Sequence, residues 1–367
     1  MPTTDLDRPA ARPDSRHQVG ALIAEARQRG ESIGAPGAAR RWDLTHLDKV
    51  ISFHAPDMVI TVETGLTLAA IKDAVEAQRL WLPLDAADGG EQTLAAYLAR
   101  DDSLSWLSYR HGPSRNWVMR LTACDDRGRE VSSGAAVVKN VAGYQLAPLY
   151  IGARDAFGPL VEITFRLLPL PVRVTRAEWQ ANDYPPLLKV WQQSRRSTHP
   201  SGRGEPWEAL RLVRNQGRWR LEGFTRLPPE TVTQWSGDDA TIAQVERLPR
   251  ERHDDGFRPS LRLQVLPTQL EPLLAAVSRL SVNLVCYPAA GVVTLDTAES
   301  PLIEPNLEEL LRSKLPPGGR LQRLNGFAGS TSPLRDHEAD EYGVLRKIKQ
   351  ILDPDGLFGP LPEAQWL

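Results

Sequence analysis

The stretch from Lys139 to Pro171, "KNVAGYQLAPLYIGARDAFGPLVEITFRLLPLP", is the part of this 367-residue chain whose reading decides the fold. Its last third sets Val161, Ile163, Phe165 and Leu167 against Leu160, Glu162, Thr164 and Arg166. That period of two predicts a strand half-buried in a sheet. Pro169 and Pro171 then close a domain near residue 171. Upstream, "GARDAFG" and "KNVAGY" are glycine-bearing loops, where the chain turns sharply or lets another group approach its backbone.

Working outward, "NWVMRLTACDDRGREV" alternates Trp117, Met119, Leu121 and Ala123 against Val118, Arg120, Thr122 and Cys124. It is a second strand, turning at Asp126–Gly128. "DMVITVETG" reads as a buried strand ending at Gly65, and Thr67 caps a helix with Leu68, Ile71 and Val75 on one face. Near the start, Val19, Leu22, Ile23 and Ala26 form a helical stripe that stops at Gly30.

Beyond residue 171 the order changes. "ALRLVRNQGRWRLEGF" predicts a hairpin around Asn215–Gly217. From residue 261, strand, helix, two strands, helix and strand follow in β-α-β-β-α-β order, that of a ferredoxin-like layer. The segments 196–208 and 225–258 are polar or Pro-rich and read as loops. A last helix carries Tyr342, Leu345, Ile348 and Leu352 on one face and ends at Asp353-Pro354. No repeat of fixed period stands out.

Composition narrows the function. With 44 basic against 46 acidic side chains and a net charge of -2, the chain gives no electrostatic case for nucleic acid. Its start lacks an apolar signal core, and no window is long and apolar enough to cross a bilayer, so a cytoplasmic protein is expected. Two cysteines far apart suit a reducing compartment. There is no Cys-x-x-Cys spacing for an iron–sulfur cluster and no Ser/His/Asp arrangement for a hydrolase.

The closing "KIKQILDPDGLFGP" resembles the C-terminal signature of the FAD-linked oxidases of the vanillyl-alcohol-oxidase type. The Lys139–Pro171 stretch is similar to the end of that superfamily's FAD domain. "KNVAGY" and the short ferredoxin-like cap look most like the FAD-binding E-type subunits of bacterial glycolate oxidase. The resemblance implies an α+β fold: a PCMH-type FAD-binding domain of two α/β subdomains, a ferredoxin-like cap, and a return helix. On that scheme residues 1–16 are a mobile arm and 17–171 the FAD domain. Residues 172–335 are the cap, and 336–367 the helix and turn that return to the FAD domain.

The resemblance also implies FAD as cofactor, held by five loops. These supply Gly34, Ala35, Gly37 and Ala38; then Gly90, Thr93, Ala95 and Ala96; then Ser114, Arg115 and Asn116. The fourth supplies Lys139, Asn140, Gly143 and Tyr144, and the fifth Gly152, Gly158, Leu160 and Val161. Glycines there let backbone N–H groups close on a pyrophosphate, and the redox chemistry belongs to the cofactor. Arg115 and Tyr144 are candidates near the flavin ring; no catalytic residue and no metal site is assigned.

The family pattern is broken in several places. Pro36 and Ala38 interrupt the first glycine run, Ala95-Ala96 replace a Gly-Gly pair, Asn116 stands for Asp, and Gly359 for Asn. Asp155 takes the place of a glycine, and like charges at about 4 Å repel by roughly 1–4 kcal/mol at effective dielectrics of 80 to 20.

Two functions follow. In one, the chain is an FAD-binding subunit working with a catalytic FAD subunit and an iron–sulfur subunit to oxidise a small 2-hydroxy acid such as glycolate. It would meet membranes only through those partners. In the other, it is a degenerate fold without flavin, serving as a structural or assembly subunit. An independent alcohol oxidase is a third, lesser reading.

Blander readings apply to other residues. His111 reads as a surface-loop histidine, Cys124 as a small buried hydrophobe, and Asp336, His337, Glu338 and Asp340 as a solvated helix start.

Overall fold

The computed structural model describes residues 10–34, 40–86, 89–100, 106–135, 146–196, 206–236, 240–246, 248, 257, 260–297, 304–323 and 336–361. The chain divides into two units. One draws on 1–104, 113–170 and 335–364, the other on 105–112, 171–334 and 365–367.

The first unit begins with β1 (Ala10–Ala11), α1 (Arg16–Arg29), β2 (Ile33–Gly34) and β3 (Arg40–Trp42). The strands make a small parallel sheet in the order β1-β3-β2. Ser15 caps α1 by accepting from the Gln18 N–H, and Gly30, at φ +64, ends it in the left-handed conformation that favours glycine. Residues 10–16 therefore do not belong to a mobile arm. Ala10 and Ala11 pair with Arg41 and Trp42, and Ala11 is buried. Residues 1–9 lie outside the described residues.

Next come β4 (Val50–His54), β5 (Val59–Glu63), α2 (Leu68–Glu76), β6 (Leu80–Trp81), α3 (Leu94–Arg100) and α4 (Ser108–His111), the last of which falls in the second unit. They are followed by β7 (Val118–Cys124), β8 (Glu130–Gly134), α5 (Ala147–Tyr150), β9 (Leu160–Arg166) and β10 (Leu168–Pro169). The two alternating segments become neighbours β7 and β9 in an antiparallel sheet of order β4-β5-β9-β7-β8. Ile60, Leu68, Ile71, Leu121, Ile163 and Phe165 form its core against α2 and α3. Within that core, the Lys72 ammonium donates to Leu84 O at 3.0 Å and to Asp85 Oδ1 at 3.1 Å. A buried pair of this kind persists because its polar atoms are hydrogen-bonded.

The second unit is an eight-stranded sheet with a duplicated topology. β11 (Val174–Ala181), α6 (Tyr184–Arg196), β12 (Trp207–Asn215), β13 (Arg218–Thr225), α7 (Pro229–Ser236) and β14 (Ala240–Val245) form a first β-α-β-β-α-β unit. β15 (Leu261–Gln264), α8 (Leu270–Val277), β16 (Asn283–Tyr287), β17 (Val292–Asp296), α9 (Glu304–Lys314) and β18 (Arg320–Arg323) form a second. The sheet order β14-β11-β13-β12-β16-β17-β15-β18 joins them through an antiparallel β12–β16 pair. Sequence periodicity foresaw only the second repeat. The segment 225–258 is not all loop, since Pro229–Ser236 is helical and Ala240–Val245 is an edge strand beside β11. Its polar composition fits these positions, because Thr241, Ala243 and Gln244 are exposed.

The chain returns to the first unit in α10 (Asp336–Leu352). Asp353 then accepts from the N–H groups of Leu357 and Phe358 at 2.8 and 3.0 Å, which forms the turn of "DPDGLFG". The Lys349 ammonium meets the Asp353 carboxylate and also donates to Ala156 O and Phe358 O. Of the stripe expected on α10, Ile348 packs on the first unit's core, whereas Leu345 and Leu352 are exposed.

Candidate functional site

Two places bring together polar groups that could hold a ligand. The first is the set of loops along α3 and β9. Gly34 ends β2 at φ +119, and a Cβ there would lie 3.0 Å from the indole Nε1 of Trp42. That Nε1 is buried and has no hydrogen-bond acceptor. A buried donor without an acceptor costs about 1–3 kcal/mol, so its presence beside a glycine loop fits a bound acceptor group.

The second loop is different. Gly90 (φ +87) packs on the start of α2, where a Cβ would stand 3.0 Å from Ala69 N. Thr93 caps α3 by accepting from the Ala96 N–H at 3.3 Å. The N–H groups of Leu94 and Ala95 donate to Leu66 O and Thr64 O at 2.7 and 2.8 Å. The first donors of α3 are thus already satisfied within the protein, leaving little for a phosphate.

Ser114, Arg115 and Asn116 form a short 3-10 turn, with Ser114 buried and the other two exposed.

In the fifth loop, Gly152 N–H donates to Leu98 O, Arg154 N–H to Ala99 O and Gly158 N–H to Asp155 O. Gly158 presses on β7, and Leu160 O and Val161 O accept from Thr64 Oγ1 and Thr64 N–H at 2.6 and 3.3 Å. Arg154 and Asp155 both have positive φ, at +50 and +60. The Asp155 residue is partly exposed, yet its carboxyl makes no hydrogen bond among the described residues, and burial pushes it up to about 7. Ala35, Gly37, Ala38, Lys139, Asn140, Gly143 and Tyr144 lie outside the described residues.

The second place is within the sheet unit. β12 carries a bulge between Trp207 and Ala209, so Glu208 is the extra residue. Its side chain is fully buried. His111 Nε2 donates to Oε2 at 3.1 Å, Arg110 Nε lies 3.2 Å from the same oxygen, and Arg226 Nε lies 2.9 Å from Oε1. Arg226 faces Oε1 as an ion pair but not with hydrogen-bond geometry, so Oε1 lacks a donor. Burial pushes this carboxyl up, but the His111 hydrogen bond and the two guanidinium charges outweigh it and hold it below the usual range. Beside it Trp106 stacks edge-on to Phe224, and the Arg211 guanidinium lies 4.8 Å from the Trp106 ring centre.

His111 is therefore not a surface-loop histidine: its side chain is only 8% exposed and is held by Glu208. Sequence reasoning passed over Glu208, Arg110 and Arg226, which lie in separate segments with no spacing between them to read. The one local signal was an acid inside the apolar run "WEALRLV". Cys124 is buried as expected, with its thiol pushed up to about 12 by desolvation.

The fold is mixed α/β, as in its solved structural neighbours. Residues 42–134 match the family described as "FAD binding domain". The chain is 24% identical to glycolate oxidase subunit GlcE of Escherichia coli (strain K12), over 92% of this chain and 91% of that protein. It is 31% identical to a D-2-hydroxyglutarate dehydrogenase of Xanthomonas citri pv. viticola, over 42% of this chain and 33% of that protein. The chain thus spans about a third of the latter relative's length. In fold it is similar to Physcomitrella patens BBE-like 1, with a TM-score of 0.69 at 12% identity over 97% of this chain and 90% of that one. Among the described residues no helix is long and apolar enough to cross a membrane.

Proposed function

We propose that the chain is the FAD-binding subunit of a glycolate-oxidase-type complex, contributing to oxidation of a small 2-hydroxy acid to the 2-oxo acid. The observation that carries this reading is its near end-to-end similarity to the E. coli subunit GlcE. On the same reading its partners are a catalytic FAD subunit and an iron–sulfur subunit, and it sits in the cytoplasm or at a membrane through them.

Gly34 and the Trp42 indole fit an acceptor group of the cofactor. We assign them, with Ala35, Gly37, Ala38, Lys139, Asn140, Gly143 and Tyr144, to holding it. Gly90, Thr93, Ala95, Ala96, Gly152 and Gly158 serve chiefly to pack and cap the loops, since their local donors are engaged or their Cα positions are crowded. A flavin held there would supply a two-electron redox centre beside that of the catalytic partner subunit.

A second reading, a subunit of the same complex without flavin, is favoured by the engaged N–H groups at α3 and by the Asp155 carboxyl in the fifth loop. Purification and a visible spectrum separate the two. Flavin bands with about one equivalent of FAD released on denaturation support the first, and their loss in Trp42→Phe supports the assigned donor. A colourless chain that stays colourless after incubation with FAD, yet purifies with oxidoreductase partners, supports the second and overturns the first.

A further inference from the structure

The first and fifth loops are both held by one short segment near the far end of the chain. β2 is only two residues long and forms an edge of its three-stranded sheet, with β3 on one side. On the other side the Ile33 N–H donates to Leu357 O at 2.9 Å, so the final turn stands where a further strand would. Apolar packing reinforces the contact. Ile33, Leu357, Phe358 and Val161 share one buried cluster, and Trp42 packs against it. Trp42 carries the buried indole N–H that lacks an acceptor, beside Gly34.

The fifth loop meets the same turn. A Cβ at Gly158 would lie 3.2 Å from the Phe358 ring, and Ala156 O accepts from the Lys349 ammonium. Lys349 pairs with the Asp353 carboxylate, whose two oxygens fix the Leu357 and Phe358 N–H groups. Arg27 on α1 adds an outer tie, reaching Asp355 of the turn at 2.8 Å and Asp126 at 3.0 Å.

We propose that Lys349 and Asp353 are positioning residues for the cofactor, acting through Leu357 and Ile33 on the Gly34–Trp42 site. This rests on the flavin reading above and adds to it two side chains that do not themselves touch the flavin. An indole N–H binds an acceptor only within narrow limits of distance and angle, so a β2 released from Leu357 presents it poorly. A donor fixed in advance also binds more tightly, because its ordering cost is met before the ligand arrives. Linkage makes the effect mutual: FAD must hold the turn docked by the same factor by which the docked turn favours FAD.

The test is titration of the full chain with FAD, followed by flavin fluorescence and by the indole N–H resonance of Trp42, assigned through its loss in Trp42→Phe. In Asp353→Asn one backbone N–H loses its acceptor and Lys349 its counter-charge. The FAD Kd there should weaken by about tenfold, with the Trp42 resonance moving only at correspondingly higher FAD. Arg27→Met loosens the same turn from the surface, weakens FAD binding in the same direction, and decides the matter if the Asp353 variant does not fold. Val75→Ala, in the buried core beneath α2 of the same unit, is the control for general destabilisation. It should lower the melting temperature and leave the FAD Kd unchanged. An unchanged Kd in Asp353→Asn, or an equal loss in Val75→Ala, overturns the proposal while leaving the flavin reading intact. A wild-type chain that takes up no FAD overturns both.

Discussion

Gly158 and Cys124 meet through their backbones: a Cβ added at Gly158, which has φ +108, would lie 2.1 Å from Cys124 O. The loop end and strand β7 therefore close on each other at a distance only glycine permits. Gly158→Ala should cost roughly 2–4 kcal/mol, combining left-handed strain with displacement of a core strand. Gly217 is a matched control, because it has φ +79 and nothing within 4 Å of the added Cβ. There the same substitution should cost only about 1 kcal/mol. Urea unfolding of the two variants measures the difference, and equal losses would refute the crowding argument.

Asp155 should make stability depend on pH. Its carboxyl is raised from 3.8 to about 7 by burial, so the folded chain holds a proton that the unfolded chain releases. That contribution is fully present below the unfolded value and is lost as pH rises through the folded one, so stability falls between about pH 4 and pH 7. Asp155→Asn should remove the slope and stabilise the protein by about 1–3 kcal/mol at about pH 8, with little effect near pH 4. This is less than the ~4 kcal/mol of a fully buried group, since the residue is partly exposed. Lys349 on α10, which donates to Ala156 O beside Asp155, is committed to Asp353 and two carbonyls and does not offset the charge. Thermal melts of both proteins across this range check the sign.

Asp353 joins the end of α10 to the final turn. Asp353→Ala leaves the largely buried Lys349 ammonium without its counter-charge and the Leu357 and Phe358 N–H groups without their acceptor. The expected loss is about 3–5 kcal/mol. Replacing Lys349 by Met in the same variant should recover part of it, and a double-mutant cycle by chemical denaturation measures that coupling.

Neither cysteine should react in the folded protein. Cys124 and Cys286 are wholly buried and desolvation raises both thiols, Cys124 to about 12, so almost no thiolate exists near neutral pH. A maleimide assay should label no thiol in the native chain and two after denaturation. Labelling of the native chain would indicate an opening that this packing does not contain.

Much of the architecture was legible because it is written at short range. Alternation at residues 118–124 and 160–166, the Thr67 cap, the Gly30 stop and the β-α-β-β-α-β order after residue 261 each depend on neighbours a few positions apart. Side-chain period and capping chemistry act at that range, so local reading captured these elements with small boundary shifts. The first repeat of the cap was less legible. Its outer strand Ala240–Val245 lies at a sheet edge, where a polar, loop-like composition is stable.

By itself, then, the sequence determined many of the local elements and the places where glycines were needed. Only the tertiary structure decided what those places do. It engaged the N–H groups of Leu94 and Ala95 with carbonyls of Leu66 and Thr64, left the Asp155 carboxyl without a hydrogen bond among the described residues, and placed the helix Ser108–His111 in the second unit. It also gathered Arg110, His111 and Arg226 around Glu208, with Arg110 and His111 98 and 97 positions away along the chain. Hydrogen-bond satisfaction and desolvation depend on which distant segments meet, and no local pattern carries that information.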